Sequence, residues 1–324
     1  MEYSILVSSV EIFQLILVTI TVPLYLFLLF FMIKAQIRKV DELGTPFFKL
    51  CITTAIIDLS TLFANYFGAM FPKMGFFADF YRNLDYIYAH IYFYIAWSTG
   101  ICQAASVSVL ATNRLSAIIL PQSYKKMWHS SRLWIPISIQ YVPGMLVGLL
   151  TFFNKTTLAT NENNGLMPQF SDKKMTTIFF TIGGGFLFSN CIYLIFSYCY
   201  LFVVLRKRNT QLSFLSTNVP KTKEKARKRE RRLFTMCSII VAVQMTILLF
   251  FILKVAKLFE LTVDEFYLFY NLLSDLFASI NPYLLWIFSD SLRKYVLTQL
   301  RLRTNSSFNN TAVITVEPIF KNNH

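Results

Sequence analysis

Charge, cysteine and histidine are scarce in this chain, and each shortage excludes a class of protein. Only 15% of its 324 residues are charged, whereas soluble domains carry about 25%, so an ordinary soluble protein is excluded. The five cysteines all lie within apolar stretches, which leaves no loop pair for a disulfide framework. Three histidines supply no metal cluster, and no Ser/His/Asp set or carboxylate pair shares a helix face. We therefore expect neither an enzyme nor a bound cofactor or metal.

Apolar residues make up 55% of the sequence, with 33 Phe and 17 Tyr. A helix that crosses about 30 Å of hydrocarbon needs roughly 20 consecutive apolar residues. Seven segments reach that length, at about 12–33, 47–71, 87–120, 133–153, 175–205, 233–253 and 266–288. The connections between them are too short for a further domain. The sequence therefore predicts an all-α membrane protein, a bundle of seven transmembrane helices within residues 1–300.

The basic residues predict the orientation of the bundle. The chain has 31 Lys and Arg against 17 Asp and Glu, a net charge of +14. Twenty-two of the 31 fall in the first, third and fifth connections and the C-terminal tail, which the positive-inside rule places in the cytoplasm. We expect the N-terminus outside and the C-terminus inside, with basic segments that contact membrane lipids or a cytoplasmic partner rather than nucleic acid.

Three smaller features lie outside the spans. After the seventh span, Ser289 or Asp290 can cap a short helix at about 290–300 whose apolar residues recur at helical spacing, so we expect it to lie along the inner membrane surface. Residues 301–324 are polar, and we expect a disordered cytoplasmic tail. On the predicted outer side, Asn154 begins a glycosylation sequon and is a candidate for that modification.

Charged and kink-forming residues within the spans are candidate functional residues, because an ionised group at the bilayer centre costs about 2.5 kcal/mol or more. Asp58 lies near the middle of the second span and Asp275 in the outer half of the seventh. Asn281 precedes Pro282, which kinks the helix, and can bond the freed backbone or Asp58 in an intramembrane polar network. Arg114 ends the third span and can bond a neighbouring helix or a partner at the cytoplasmic rim. An interfacial arginine without function is the alternative interpretation.

Aromatic residues are concentrated in the outer halves of the third and seventh spans. Such residues suit a small, partly apolar ligand with few polar contacts. An aromatic belt at the membrane interface is the alternative interpretation. We take four residues as a candidate ligand pocket: Tyr94, Trp97, Tyr270 and Asp275.

Taken together, these features resemble the seven-helix G-protein-coupled receptors. The segment 110–124 resembles the third-helix signature of that group, Asp58 stands at the position of its second-helix aspartate, and Asn281-Pro282 followed by a surface helix resembles its seventh-helix motif. The resemblance implies roles in G-protein coupling and activation for seven residues: Asn113, Arg114, Pro121, Tyr124, Asn281, Pro282 and Tyr283.

The chain also departs from most of these receptors. Asn113 replaces the usual acid, so the resting ion pair with Arg114 is missing and any inactive-state lock must be weaker or different. The usual tyrosine position after the proline is Leu285 here, while Tyr283 follows the proline directly. No cysteine stands at the outer end of the third helix, so the common extracellular disulfide is absent. The seventh span has no lysine, which leaves a retinal Schiff base no attachment point.

A closer resemblance is to the divergent nematode serpentine chemoreceptors, the Srg superfamily and within it the Srv class. It is carried by the segments 22–25, 47–50, 113–128 and 281–285. It implies a receptor in the plasma membrane, in the cilia of chemosensory neurons, that detects a small external chemical and activates a heterotrimeric G protein in olfactory signal transduction.

The sequence is also compatible with two other functions. One is a seven-helix ligand-gated cation channel, although channels of the insect type place the N-terminus inside. The other is an ion-coupled transporter, with Asp58 and Asp275 as ion ligands and a helix break at residues 183–185.

Overall fold

The computed structural model describes residues 2–160, 165–215, 221–256 and 263–300. The predicted tail, residues 301–324, lies outside them. In chain order the helices are α1 (Glu2–Ile37), α2 (Pro46–Asn65), α3 (Phe71–Lys73), α4 (Ala78–Ile119), α5 (Pro121–Met127), α6 (Trp134–Leu149), α7 (Lys173–Leu215), α8 (Lys221–Val255), α9 (Val263–Phe288) and α10 (Asp290–Gln299). A π-helical turn, Tyr66–Met70, joins α2 to α3.

Seven of these helices correspond to the seven predicted spans, namely α1, α2, α4, α6, α7, α8 and α9. Among the described residues, five segments are long and apolar enough to cross a membrane on their own: Ser9–Ile37, Pro46–Lys73, Ile87–Ile119, Ser130–Phe153 and Lys174–Val204. Leu268–Phe288 meets the same criterion together with α10 across a bend of 80°, and Ser238–Leu253 in α8 is a shorter apolar helix. The chain is a multi-pass membrane protein.

Residues 183–185 lie inside α7, which runs from Lys173 to Leu215 as one helix. The helix break that the transporter interpretation required at these glycines is therefore not formed. A Cβ on Gly183 would lie 3.0 Å from the Trp97 ring, so this glycine serves instead to admit a large side chain from α4.

The α4 helix contacts α2, α6, α7 and α8 and forms the centre of the bundle. Its approach to α6 depends on two glycines one turn apart. A Cβ on Gly144 would lie 2.2 Å from the Ser98 carbonyl oxygen, and one on Gly148 would lie 1.9 Å from Ser98 Oγ. Small residues at this spacing let membrane helices reach backbone contact, where dispersion forces and short polar contacts stabilise the pair.

One end of the bundle is closed by α10, and we call it the α10 end. Ser289 Oγ caps this helix by accepting a hydrogen bond from the Leu292 backbone N–H at 3.3 Å. Leu292, Tyr295 and Val296 are buried against the bundle. The predicted amphipathic helix after the seventh span is confirmed, with Ser289 as the cap.

The opposite end carries a β-hairpin that the sequence analysis did not predict, and we call it the hairpin end. Strands β1 (Thr156–Thr160) and β2 (Leu166–Phe170) pair antiparallel, with Thr156 opposite Phe170. The Phe170 ring stacks on Phe93 at 4.2 Å and on Phe179 at 5.2 Å between centroids. These aromatic contacts with α4 and α7 bury one face of the hairpin against the bundle.

Candidate functional site

A cavity lies between α4, α7, α8 and α9, in the half of the bundle nearer the hairpin end. Its empty volume is about 640 Å³, a figure that includes space open to solvent. We call it the aromatic cavity. Its lining is mostly apolar and includes Trp97, Gln103, Phe251, Tyr270, Ser274 and Phe277.

Four rings from four helices form a cluster at the edge of the aromatic cavity. Three of them, Trp97, Phe251 and Tyr270, line this cavity, and Phe180 lines the smaller cavity beside it. The centroid of Phe180 lies 5.2 Å from Trp97 and 5.3 Å from Phe251, and Phe251 lies 6.2 Å from Tyr270. Trp97 and Tyr270 were predicted as pocket residues, whereas Phe180 and Phe251 were not. Both are aromatic residues in the fifth and sixth spans, but the sequence does not reveal which face of those helices turns inward.

A smaller cavity of about 380 Å³ adjoins the aromatic cavity and shares Ala96, Trp97 and Tyr270 with it. Phe170 of β2 also lines it. The hairpin therefore covers the aromatic cavity from its end of the bundle.

The other two predicted pocket residues lie elsewhere. Tyr94 packs against Phe152, with 5.5 Å between the ring centroids, and lines a groove between α2, α4 and α6. Asp275 is buried against α1 and α2 rather than in the aromatic cavity. The structure thus brings Trp97 and Tyr270 together and separates Tyr94 and Asp275 from them.

Asp58 is the centre of a buried polar network formed by four helices. Its Oδ2 accepts hydrogen bonds from the Tyr25 hydroxyl at 2.6 Å and from Asn281 Nδ2 at 2.7 Å. Its Oδ1 accepts from Gln103 Nε2 at 2.8 Å. Three donors satisfy a carboxyl group that is 1% exposed, which is what a buried polar network requires. Because Gln103 also lines the aromatic cavity, one side chain belongs to both sites.

The residue after Pro282, Tyr283, connects α9 to α1 by a hydrogen bond. Thr21 Oγ1 donates its hydrogen to the Leu17 carbonyl at 2.7 Å. The Tyr283 hydroxyl, 3.0 Å from Thr21 Oγ1, must therefore be the donor in that pair, because a hydroxyl has only one hydrogen. Leu285, where related receptors have a tyrosine, is a buried core residue.

Asp275 is the centre of a second polar cluster, nearer the hairpin end. Its Oδ1 accepts a hydrogen bond from Asn65 Nδ2 at 2.8 Å, and its Oδ2 lies 3.3 Å from Gln14 Nε2 and 3.2 Å from the Tyr66 hydroxyl. Tyr66 begins the π-helical turn, a distortion that often re-aims a side chain at a functional site. Asn65 also donates to Ser274 Oγ at 3.1 Å, and Ser274 lines the aromatic cavity.

At the α10 end, Arg114 stacks on an aromatic ring. Its guanidinium carbon lies 3.4 Å from the centroid of Phe47, which is 3% exposed. Such cation–π contacts contribute about 0.5–1 kcal/mol at exposed sites and about 2 kcal/mol when desolvated. Asn113 cannot form the ion pair found in related receptors, and the Phe47 ring is one contact of the guanidinium.

The neighbouring signature residues fold back onto α4. Pro121 begins α5, and α5 brings the Tyr124 hydroxyl to 3.2 Å from Asn113 Nδ2, which donates to it. One turn further on, Trp128 Nε1 donates to Ser116 Oγ at 2.7 Å. The segment after the third span is thereby fixed beside Arg114.

Asp290, at the start of α10, connects two helices at this end. Its carboxylate accepts from Arg232 of α8 and from Arg293 of α10. Both arginines and Asp290 are partly exposed, so the contact is a weak surface ion pair.

Asn154, the candidate for glycosylation, lies at the hairpin end. Asn154 directly precedes β1, and its Nδ2 donates to the Leu150 carbonyl at 2.9 Å. It is partly exposed, and its glycosylation stays a prediction. Cys51, Cys102, Cys191 and Cys199 form no disulfide bond.

The fold defined by this bundle is that of the G-protein-coupled receptors. The crystal structure of squid rhodopsin is similar to it with a TM-score of 0.68, over 92% of this chain and 86% of that chain, at 14% sequence identity. At that identity the likeness shows the fold alone.

The sequence matches the family model of the serpentine type 7TM GPCR chemoreceptor Srv over residues 14–302. The chain belongs to this family, and the predicted resemblance is confirmed. The family is a class of receptors rather than of enzymes. A comparison with curated proteins finds no match.

Proposed function

We propose that this receptor detects a small, largely apolar chemical from outside the cell and activates a heterotrimeric G protein in response. The aromatic cavity supports this proposal, because its apolar wall and few polar groups suit such a ligand. By its family, we place the receptor in the plasma membrane of chemosensory neurons, in their cilia.

The distribution of basic residues supports an orientation with the N-terminus outside. The α10 end then faces the cytoplasm and the hairpin end faces outward. In this orientation Arg114 and the basic N-terminal half of α8 lie on the side where a G protein binds, and an external chemical approaches from the side of the hairpin.

The position of Gln103 is the single observation that carries the mechanism. This residue lines the ligand site and also contacts Asp58, which accepts a hydrogen bond from Asn281. A ligand in the aromatic cavity contacts the side chain whose Nε2 donates to Asp58 at 2.8 Å. Asp58 in turn accepts from Asn281, next to Pro282. A ligand that binds one arrangement of this network more tightly than the other shifts the bundle toward that arrangement. The size of the shift is set by the ratio of the ligand's affinities for the two arrangements.

At the α10 end, we assign Arg114 the contact with the G protein. In the resting form Phe47 holds its guanidinium, while Asp290 links α8 to α10 through Arg232. Activation separates these contacts and exposes Arg114. Asn113, Pro121, Tyr124 and Tyr283 hold the surrounding segments in place.

The test is recruitment of labelled Gα subunits to the surface-expressed receptor during exposure to a broad pool of chemicals. We expect recruitment in the wild type and its loss in Arg114→Ala. Arg132→Ala is the matched control, because Arg132 is an exposed basic residue at the same end, and it should couple normally. Coupling retained in Arg114→Ala would overturn the role of this residue. An inward current without recruitment of any Gα subunit would favour a channel.

A further inference from the structure

A separate cavity lies beside Asp275, between α1, α2, α3 and α9. Its empty volume is about 290 Å³. Much of this volume is open to solvent, and its enclosed part has room for about one water-sized group, such as the ammonium head of a ligand whose apolar part lies in the open mouth. We call it the Asp275 cavity, and its charged and hydrogen-bonding groups come from Glu11, Gln14, Asn65, Lys73, Asn271 and Asp275.

The charges around this cavity do not balance. Lys73 Nζ lies 2.9 Å from Glu11 Oε1, and each side chain is 17% exposed, so this ion pair neutralises itself. Asp275 is 1% exposed and accepts hydrogen bonds from two neutral amides, those of Asn65 and Gln14. The Tyr66 hydroxyl lies 3.2 Å away but donates its one hydrogen to the Gln14 carbonyl at 2.6 Å. None of the ion pairs among the described residues includes it. An ionised Asp275 would give the cavity a formal charge of −1 in a membrane-spanning segment, where an unbalanced charge is costly, so this carboxyl binds either a proton or a cation.

An open hydrogen-bond acceptor lies one turn from Asp275. Asn271 Oδ1 is buried and has no partner among the described residues. Because residues four apart share one face of a helix, Asn271 and Asp275 present their oxygens on the same side of α9. The Asp275 carboxylate and Asn271 Oδ1 together favour a ligand that is cationic and carries several N–H donors.

We propose that the Asp275 cavity is a binding site for a small protonated aliphatic amine. Asp275 is its counter-ion, and Asn271 Oδ1 accepts a second hydrogen bond from the ammonium group. Entry from outside, past Glu11 and Lys73, depends on the orientation proposed above, but binding itself depends on neither the orientation nor G-protein coupling.

This site is separate from the aromatic cavity but connected to it. Asn65 donates both to Asp275 Oδ1 and to Ser274 Oγ, and Ser274 lines the aromatic cavity. An ammonium group that takes over acceptor capacity of Asp275 competes with Asn65 for it. An amine in the Asp275 cavity thereby changes the hydrogen bonding of Ser274, which lines the aromatic cavity. It can therefore modulate the response to an apolar ligand.

The test is the thermal stability of the purified full-length receptor with n-propylammonium chloride as the probe. Propan-1-ol and an equal concentration of NaCl are the controls for size and for ionic strength. We expect a concentration-dependent rise in Tm with the amine alone, since a ligand that binds only the folded state stabilises it. Asp275→Asn should weaken the apparent affinity by about 30-fold or more, because losing one partner of a buried charge pair costs at least that factor.

Two further variants keep the test decisive if Asp275→Asn does not fold. Asn271→Leu removes the open acceptor and should also weaken the amine effect. Tyr94→Phe changes a side chain in the separate groove between α2, α4 and α6 and should leave the amine effect intact. No amine-specific rise in the wild type, or an equal rise in Asp275→Asn or Asn271→Leu, would overturn the proposal. Because no G protein is present in the assay, this result is independent of the proposed coupling.

Discussion

Replacing Phe47 should raise the basal activity of the receptor. The ring lies 3.4 Å from the Arg114 guanidinium carbon, and in our mechanism it holds this residue in the resting form. Leucine is the informative substitution, because it retains an apolar side chain but has no π-electron face. Alanine would also leave a cavity, which costs about 3–5 kcal/mol for a buried phenylalanine, and would mix a loss of stability with the effect on activation.

The size of the effect follows from the contact. Phe47 is 3% exposed, so the upper part of the cation–π range applies, about 1–2 kcal/mol. If the contact is lost on activation, its removal raises the ratio of active to resting receptor by about 5- to 30-fold. An active form populated at about 1% without ligand would then rise to between about 5% and 20%.

The assay is ligand-free nucleotide exchange on a reconstituted G protein, at equal amounts of folded receptor. Phe47→Trp should behave like the wild type, because tryptophan offers the strongest aromatic face to a cation. Phe48→Leu is the matched control, since its ring is also buried but does not lie over Arg114 in the structure. Equal basal exchange in the wild type and Phe47→Leu, or an equal increase in Phe48→Leu, would refute the reasoning.

Three further predictions concern other contacts. Gln103→Leu removes one hydrogen-bond donor from Asp58, so it should lower Tm in line with a cost of about 1–3 kcal/mol. It should also change agonist potency in a concentration–response assay. An unchanged potency would contradict the link between the aromatic cavity and the Asp58 network. Gly148→Leu should abolish the folded receptor in size-exclusion profiles, whereas Gly185→Leu, where a Cβ meets nothing within 4 Å, should be tolerated. Asp290→Asn removes the ion pair with Arg232 and should raise ligand-free nucleotide exchange by no more than about fivefold, the equivalent of about 1 kcal/mol for an exposed pair. The difference from the wild type should shrink at high salt.

The overall architecture was predictable because hydrocarbon thickness dictates the length of apolar segments. The sequence predicted the seven-helix bundle, and the capped amphipathic pattern after Ser289 predicted α10. The hairpin was not predicted, because its strands are short, Pro168 lacks a backbone donor, and the contact that stabilises it, Phe170 between Phe93 and Phe179, involves residues distant in sequence.

The site was predictable only in part, because residue type does not reveal helix rotation. Trp97 and Tyr94 lie three positions apart in the same span, yet they line different cavities. The same rotation turns Ser274 toward the aromatic cavity and Asp275 away from it. The contact between Phe47 and Arg114 was also missed, since a cation–π pair between two helices has no sequence signature.

The hairpin also has a kinetic consequence. Its Phe170 ring covers the cavity that adjoins Trp97 and Tyr270, so a ligand that passes through this end must wait for the stacked rings to open, both on entry and on exit. A gate that slows both directions equally lowers the association and dissociation rate constants together and leaves Kd unchanged. The residence time of the ligand then exceeds what its affinity alone implies. If the receptor functions as proposed, a long residence time makes it average over rapid fluctuations in the concentration of its chemical and report the slower changes.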